Sequence, residues 1–190
     1  LKSGDMERCI PKLTRHLEEP RVGQCYPNFY VAQLASKFVK VCLSGAGGDE
    51  LFGGYPWRYY RTINTKNFEQ FINEYYKYWQ RLVSKKELNN LFTPLKDDIK
   101  NICTETIFRD IFLTYENNLN SPKDCINHCL YLEAKTFLHG LFVVEDKLSM
   151  AHGLESRVPF MDNDLVDFAM KCPVSFKLKN LRDNIKINEN

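Results

Sequence analysis

Apolar residues recur along much of this chain at the three- and four-residue steps of helices that are apolar on one side. The clearest example lies between residues 67 and 83, where six large side chains fall on one helical face: Phe68, Phe71, Tyr75, Tyr78, Trp79 and Leu82. Aromatic stripes of this kind pack in a protein core more often than they form a cofactor pocket. We therefore expect a buried aromatic helix here.

The same spacing predicts helices on both sides of this segment. Before it, a short helix starts near Cys9 and is closed by Pro20, and another runs from the capping residue Asn28 to Phe38. After it, Ser84 is a suitable cap for a new helix. Helices are expected at residues 85–92, 104–116 and 122–138, with a loop at residues 117–120.

Two further helices are predicted beyond residue 140. The first runs from Leu141 to Ala151 and ends at Gly153, a residue type that favours helix C-termini. Glu155 and Arg157 follow in a predicted loop, where they can pair across one residue. Asp162 caps the second helix, whose expected buried face consists of Leu165, Val166, Phe168 and Ala169.

A short run of apolar and β-branched residues at positions 39–43 predicts a buried strand. It ends in Ser44-Gly45-Ala46-Gly47-Gly48, followed by Asp49 and Glu50. Glycines at this density let the backbone adopt positive φ and approach a ligand closely, and bare N–H groups in such a loop favour an anion such as phosphate. Two acids directly behind the loop suggest Mg²⁺.

The simpler alternative for this stretch is a tight strand-to-helix turn in which Asp49 and Glu50 cap the helix. That alternative leaves the five glycines between Gly45 and Gly54 unexplained. The pattern matches neither the P-loop nor the Rossmann fingerprint.

The order of elements predicts an α/β fold that is predominantly helical. A strand as apolar as residues 39–43 needs cover on both faces, which is typical of parallel sheets, and ligands of such sheets lie beyond the carboxyl ends of the strands. No strand is expected after residue 55. Residues 1–55 should form the edge of the sheet with its glycine loop, and residues 56–190 a helical region.

Composition narrows the classes of function. The 26 Lys+Arg and 24 Asp+Glu residues give a net charge of +2. This charge implies no broad positive electrostatic field that would attract nucleic acid or a membrane surface. No run approaches the ~18 apolar residues of a membrane helix, and no signal peptide is apparent. We expect a cytoplasmic protein. Because the chain begins with Leu1 and ends in a polar tail, we also expect it to be a piece of a longer one.

The seven cysteines are odd in number and scattered along the chain. Cys125, His128 and Cys129 form the one close group, but a zinc knuckle needs a second ligand pair at matching spacing and the sequence has none. We therefore expect reduced, mostly buried thiols.

Two other parts of the sequence have either a functional or a structural interpretation. The aromatic and basic segment from Tyr55 to Arg61 either stacks a base and holds a phosphate, or is a loop pinned by aromatic packing. Lys147, between apolar neighbours in a predicted helix, either directs its ammonium at developing negative charge or is a surface lysine paired with Glu145 or Asp146.

Taken together, two segments resemble the glutamine-dependent asparagine synthetases. They are the stretch from Leu43 to Tyr55 and the stretch Glu145-Asp146-Lys147-Leu148-Ser149-Met150-Ala151-His152-Gly153-Leu154-Glu155-Ser156-Arg157-Val158-Pro159-Phe160-Met161-Asp162. The similarity is to the C-terminal synthetase domain, of the ATP-pyrophosphatase (adenine nucleotide alpha hydrolase-like, HUP) type. It extends from about Glu18 to about Cys172.

The resemblance implies an ATP- and Mg²⁺-dependent ligase that converts aspartate to β-aspartyl-AMP and then to asparagine, using ammonia from a glutaminase domain. It assigns Ser44, Gly45, Ala46 and Gly47 to AMP binding. Asp49, with Glu50 beside it, would bind Mg²⁺ and pyrophosphate, and Lys147 would be the catalytic lysine that stabilises the tetrahedral intermediate. A homodimer of the full-length enzyme is also implied.

Two departures from the family pattern bear on this expectation. Several members carry an acid where this chain has Ala46, so a related amidotransferase or ring-forming ligase acting on another carboxylate is an alternative, as is a non-catalytic homologue. The family's pyrophosphate loop, Ser-Gly-Gly-x-Asp-Ser, and its glutaminase domain do not occur in residues 1–190. We therefore expect these 190 residues to be inactive by themselves.

Overall fold

The computed structural model describes residues 2–19, 25–115 and 119–178. The elements in chain order are α1 (Asp5–Leu17), α2 (Cys25–Ala35), β1 (Val41–Leu43), α3 (Gly48–Phe52), α4 (Pro56–Tyr59), α5 (Phe68–Trp79), α6 (Lys85–Leu91), a 3₁₀ turn (Thr93–Leu95), α7 (Lys96–Ile99), α8 (Thr104–Asp110), α9 (Pro122–Leu132), a π-helical segment (Glu133–Phe137), α10 (Leu138–Met150), β2 (Glu155–Arg157), a second 3₁₀ turn (Pro159–Met161), α11 (Asn163–Lys171) and α12 (Val174–Lys177).

These elements form two compact units. Unit 1 comprises Leu1–Phe52 and Thr136–Lys171, and unit 2 comprises Gly53–Lys135 and Cys172–Asn190. The glycine loop, Lys147 and both strands belong to unit 1, whereas the aromatic helix α5 belongs to unit 2.

Unit 1 is built on the packing of α1, α2 and α10 around a small apolar core. The buried side chains come from all three helices: Cys9, Leu13, Leu17, Cys25, Phe29, Val144 and Leu148. Beside them, β1 and β2 pair in parallel, with Val41 opposite Glu155 and Leu43 opposite Arg157. The α/β expectation is therefore confirmed at this level, as a mostly helical chain with a small parallel sheet.

The expectation of no strand after residue 55 is wrong, because Glu155–Arg157 is a strand. Its charged and hydroxyl side chains give no apolar signal, and only its pairing with β1 makes it a strand. The expected cover on both faces of β1 is also absent within the described part of the chain. Val41 is 40% exposed and Leu43 is 75% exposed.

Unit 2 is organised around the aromatic stripe of α5, as expected. Phe71, Ile72, Tyr75 and Tyr78 are buried, and they pack with Phe112 and other side chains of a single core cluster. Asn67 caps the helix by accepting a hydrogen bond from the Gln70 N–H at 2.9 Å. Leu82 does not belong to the stripe, because α5 ends at Trp79 and Leu82 is 85% exposed.

The remaining helix predictions are right in kind and differ in their bounds. Asn28 is not a cap, since α2 begins at Cys25. Helix α8 ends at Asp110 rather than at residue 116, and part of the predicted loop at 117–120 lies outside the described residues. Ser84 does cap α6, in a reciprocal capping box with Glu87.

The helices predicted at 122–138 and 141–151 are joined without a break through the π-helical segment. Asp162 is confirmed as the cap of α11, because its Oδ1 accepts from the N–H groups of Asp164 and Leu165. The predicted buried face of α11 is mostly wrong. Ala169 alone among the four is buried, Leu165 and Val166 are half-buried, and Phe168 is exposed.

The cysteines are free thiols, and four of the seven are buried. Cys125 and Cys129 lie in the unit 2 core, where their sulfur atoms contact the hydroxyls of Thr65 and Thr62. His128 Nδ1 lies 2.7 Å from the Asp124 carbonyl oxygen. No group of three or more metal-ligating side chains occurs among the described residues. In that same part of the chain no helix has the length and apolar character needed to cross a bilayer.

Candidate functional site

The glycine loop, residues 44–48, starts where β1 ends and leads into α3. The Ser44 N–H donates to the Arg157 carbonyl oxygen at 2.8 Å, which extends the β1–β2 pairing into the loop. The Ser44 hydroxyl oxygen accepts from the Ala46 N–H at 3.1 Å. The Gly48 N–H donates to the Gly45 carbonyl oxygen at 3.3 Å. The loop is thus a defined turn held to the sheet at its first residue.

Two backbone N–H groups of this loop have no hydrogen-bond acceptor within the described part of the chain. Those of Gly45 and Gly47 donate to no backbone or side-chain group among the residues that the structure describes. Gly47 has φ +93°, the left-handed region that side-chain-bearing residues rarely adopt. Backbone N–H groups in such a turn can bind an anion. Gly45 is exposed, whereas Gly47 is buried in this structure.

The Pro159–Met161 turn packs closely against Gly47 and Gly48. A Cβ there would lie 2.4 Å from Cε of Met161, and a Cβ on Gly48 would lie 3.2 Å from the ring of Phe160. A Cβ on Gly45 would meet no atom within 4 Å. The positive φ therefore explains the glycine at position 47, where the Met161 methyl group is the end of a flexible side chain, and close packing against Phe160 accounts for the glycine at position 48.

The two acids behind the loop differ in environment. Asp49 is exposed, whereas Glu50 is 2% exposed. Mg²⁺ is usually held by one or two carboxylates together with substrate phosphates, and the exposed carboxylate of Asp49 fits this ion. The burial of Glu50 fits a structural role better.

A mainly apolar cavity of about 240 Å³ opens beside the loop within unit 1. Val31, Ala35, Leu148 and Leu154 contribute its apolar lining. Ser44 is the loop residue that reaches it, together with Glu145, Ser149 and Ser156. Of the residues predicted for the site, Ser44 lines the cavity, whereas the others do not: Gly45, Ala46, Gly47, Asp49, Glu50 and Lys147.

Lys147 lies on α10 and its ammonium is directed at the end of α1. Its Nζ donates to the Leu17 carbonyl oxygen at 2.8 Å and to Glu18 Oε2 at 3.1 Å. Leu17 is the last residue of its helix, where carbonyl groups lack intrahelical partners and cations are favourable. The expected pairing with Glu145 or Asp146 does not occur. The structure does not test the catalytic role of Lys147, which stays a prediction.

Sequence reasoning missed the partner of Glu145. Ser156, on β2, donates its hydroxyl to Glu145 Oε1, which fixes a carboxylate at the cavity. The periodicity of α10 could have indicated that Glu145 lies four residues before Ser149 on the same face. The second member of the pair depends on the unpredicted strand.

A second polar cluster, also missed, lies inside unit 2. The Glu133 carboxylate, at the start of the π segment, accepts from Arg58 Nη1 at 3.0 Å, Tyr59 Oη at 2.9 Å and Tyr75 Oη at 3.1 Å. Burial raises the pKa of Glu133, while the Arg58 guanidinium and the two hydroxyls act in the opposite direction. Burial also raises the pKa of Tyr75.

The segment from Tyr55 to Arg61 is held by aromatic packing, as its second alternative describes, but Pro56–Tyr59 forms the helix α4 and not a loop. The Arg58 guanidinium lies 3.7 Å from the centroid of the Tyr55 ring, and the Tyr55 and Trp57 rings meet edge to face at 5.7 Å. With Glu133 as its ion-pair partner, Arg58 is engaged in the core of unit 2.

The asparagine synthase family matches residues 1–186. Asparagine synthetase [glutamine-hydrolyzing] 1 of Bacillus subtilis is 32% identical over 90% of this chain and 31% of the relative. Asparagine synthetase [glutamine-hydrolyzing] 3 of the same organism is 28% identical over 90% of this chain and 28% of the relative. No solved structure matches at a significant level.

A more distant relative is the putative asparagine synthetase [glutamine-hydrolyzing] 1 of Methanocaldococcus jannaschii, which is 25% identical over 93% of this chain and 23% of its own length. The chain therefore spans roughly a quarter to a third of the length of these three relatives. Since the family match extends over nearly all of its residues, the chain belongs to the asparagine synthase family.

Proposed function

We propose that this chain is part of a glutamine-hydrolysing asparagine synthetase. Aspartate and ATP would react to form β-aspartyl-AMP and release pyrophosphate. Ammonia derived from glutamine would then displace AMP and form asparagine. Family membership and the names of the matched relatives support this activity. The cytoplasm as location, a separate glutaminase domain as ammonia donor and a homodimer are parts of the same proposal.

The glycine loop would form one wall of the nucleotide site. Ser44, Gly45, Ala46 and Gly47 would bind the AMP portion, with the N–H groups of Gly45 and Gly47 donating to phosphate oxygens. The proposal rests on these two N–H groups, which have no hydrogen-bond acceptor among the described residues. The β1–β2 sheet would be part of a larger parallel sheet of the HUP type, which fits the exposure of Val41 and Leu43.

Asp49 would hold Mg²⁺, since its carboxylate is exposed directly after the loop. Glu50 is the weaker candidate ligand because it is buried. When bound, Mg²⁺ would neutralise charge on the phosphates. Lys147 is proposed to stabilise charge on the tetrahedral intermediate, for which it would have to exchange its contacts with Leu17 and Glu18.

The proposal is tested on the complete gene product with ATP, Mg²⁺, aspartate and ammonium chloride. Pyrophosphate and asparagine should form in equal amounts. Replacing Asp49 with Asn should lower kcat/KM by about 10²-fold, because a charged group that binds the transferring phosphates is lost. Asp97→Asn, an exposed acid of α7, is the matched control and should leave turnover unchanged.

Lys147→Ala belongs in the same assay, with Lys171→Ala at an exposed position of α11 as its control. A loss of about 10²-fold in kcat for Lys147→Ala alone supports the catalytic role. Unchanged kcat would leave Lys147 as a residue that anchors the end of α1. Absence of pyrophosphate release by the wild-type protein would contradict the whole proposal and favour a non-catalytic homologue.

The second candidate is an amidotransferase or ring-forming ligase of the same fold that activates another carboxylate. Ala46 favours it, because the loop of this chain carries no acid between Ser44 and Asp49. ATP-dependent pyrophosphate release with a different carboxylic acid, and none with aspartate, would decide for this candidate.

A further inference from the structure

The turn Pro159–Met161, which follows β2, lies directly against the glycine loop. The space that a Cβ on Gly47 would need is filled by the terminal methyl group of Met161, and the corresponding space at Gly48 is bordered by the ring of Phe160. Phe160 also meets Phe52 of α3 edge to face, with ring centroids 6.4 Å apart. The loop and the start of α3 therefore rest on these two side chains.

We propose that Met161 is a positioning residue that sets the conformation of the glycine loop for its anionic ligand. This inference rests on the proposed function, because it takes the loop as the wall of a nucleotide site. Met161 would touch neither the ligand nor the reacting atoms. It would act through the backbone of Gly47.

The loop needs such a support because its hydrogen bonds do not involve the N–H of Gly47. The Ser44 hydroxyl holds the Ala46 N–H, and the Gly48 N–H closes the turn onto the Gly45 carbonyl oxygen. The Ser44 N–H to Arg157 bond holds the beginning, and the Leu51 N–H donates to the Gly47 carbonyl oxygen at 3.0 Å at the start of α3. Between them the peptide joining Ala46 and Gly47 carries one of the two available N–H groups. Glycine has the widest backbone freedom of all residues, so without a contact beneath it this N–H has no fixed direction.

A fixed direction matters because binding groups that are already in place avoid an ordering cost when the ligand arrives. Small displacements of positioning groups lower rates strongly, by up to ~10²-fold for about 1 Å. Removing the Met161 side chain beyond Cβ would open the space under Gly47 and let the loop adopt other conformations. Leucine has nearly the volume of methionine and should keep most of the support.

The test compares Met161→Ala with Met161→Leu in the complete gene product. ATP binding is measured by calorimetry, and backbone order by hydrogen exchange of the peptide that covers residues 44–50. Met161→Ala should weaken ATP binding by about tenfold and speed exchange in this peptide, while exchange in α10 is unchanged. Met161→Leu should restore both. Met170→Ala, an exposed methionine of α11, is the matched control.

Steady-state kinetics add a readout that general destabilisation would not give. A positioning role predicts a higher KM for ATP in Met161→Ala with a smaller change in kcat. Equal ATP affinity and equal exchange of residues 44–50 in wild type and Met161→Ala would overturn the inference. If the wild type binds no ATP, the proposed function fails, and the exchange measurement still decides whether Met161 orders the loop.

A second pair of variants covers the case in which Met161→Ala does not fold. Gly48 has an ordinary φ, so Gly48→Ala introduces only the close contact with Phe160. This variant should speed exchange in residues 44–50, and adding Phe160→Ala should reverse part of the effect. No coupling between positions 48 and 160 would show that the turn does not set the loop, which contradicts the inference.

Discussion

Glu133 shows how a single charged residue is accommodated inside unit 2. Its side chain is fully buried, yet three donors from α4 and α5 surround the carboxylate, one of them the Arg58 guanidinium. A buried carboxylate without partners is far more costly than an exposed one. Each donor compensates for part of the cost of removing this carboxylate from water, so the loss of any one of them leaves part of that cost uncompensated.

Replacing Glu133 with Ala should lower the free energy of unfolding by ~3 kcal/mol or more, because it leaves the Arg58 charge without its buried partner. Urea unfolding followed by tryptophan fluorescence measures this change. The exposed pair between Lys77 and Glu74 provides the comparison, with Lys77→Ala expected to cost about 0.5 kcal/mol or less. Equal losses in the two variants would contradict the account of the Glu133 cluster.

At the scale of elements, local signals determined what could be predicted. The helix α5 was predicted because its aromatic residues recur at helical steps, and the caps Ser84 and Asp162 were predicted because they act within three residues of themselves. The strand β2 was not, because Glu155, Ser156 and Arg157 are held extended by pairing with residues more than a hundred positions away.

The same distinction applies to the candidate site. The composition of the glycine loop predicted a turn suited to an anion. Residues 44–48 do form a turn, and its binding of an anion stays a prediction. The Met161 contact and the Ser156–Glu145 pair could not be predicted, since each joins side chains that only the folded chain brings together. The position of Lys147 at the end of α1 depends in the same way on helix packing.

The cap of α5 gives a prediction for a whole element. Asn67→Ala removes the acceptor of the Gln70 N–H and should destabilise the protein by about 1 kcal/mol. Asn67→Ser should recover most of this loss, because serine is also a good cap. The midpoints of thermal unfolding of the three proteins measure the order, and a serine variant no more stable than the alanine variant would contradict it.

At the scale of the whole molecule, unit 1 exposes a series of apolar residues on consecutive elements. They lie on α2, on the segment after it and on β1: Val31, Leu34, Phe38, Val39, Val41 and Leu43. Soluble monomeric proteins seldom leave large contiguous apolar patches open to water. Parallel strands in particular are normally covered on both faces.

The 190-residue polypeptide, expressed by itself, should therefore self-associate. The double variant Phe38→Ser and Leu43→Ser, at positions that are 79% and 75% exposed, should shift it towards monomer in sedimentation velocity experiments. Leu82→Ser, at an exposed leucine of unit 2, is the control and should have less effect. A monomeric wild-type polypeptide at tens of micromolar would contradict this prediction.

The register of β1 and β2 also has a consequence for the order in which the protein is made. Val41 pairs with Glu155, so 113 residues are synthesised between the two partners. At ~5–20 residues per second this takes roughly 6–23 s. During that time β1 and the glycine loop emerge without the strand that holds Ser44 in place. Most of unit 2 is synthesised within this interval, which leaves the nascent sheet edge dependent on chaperones or on rapid local folding around it.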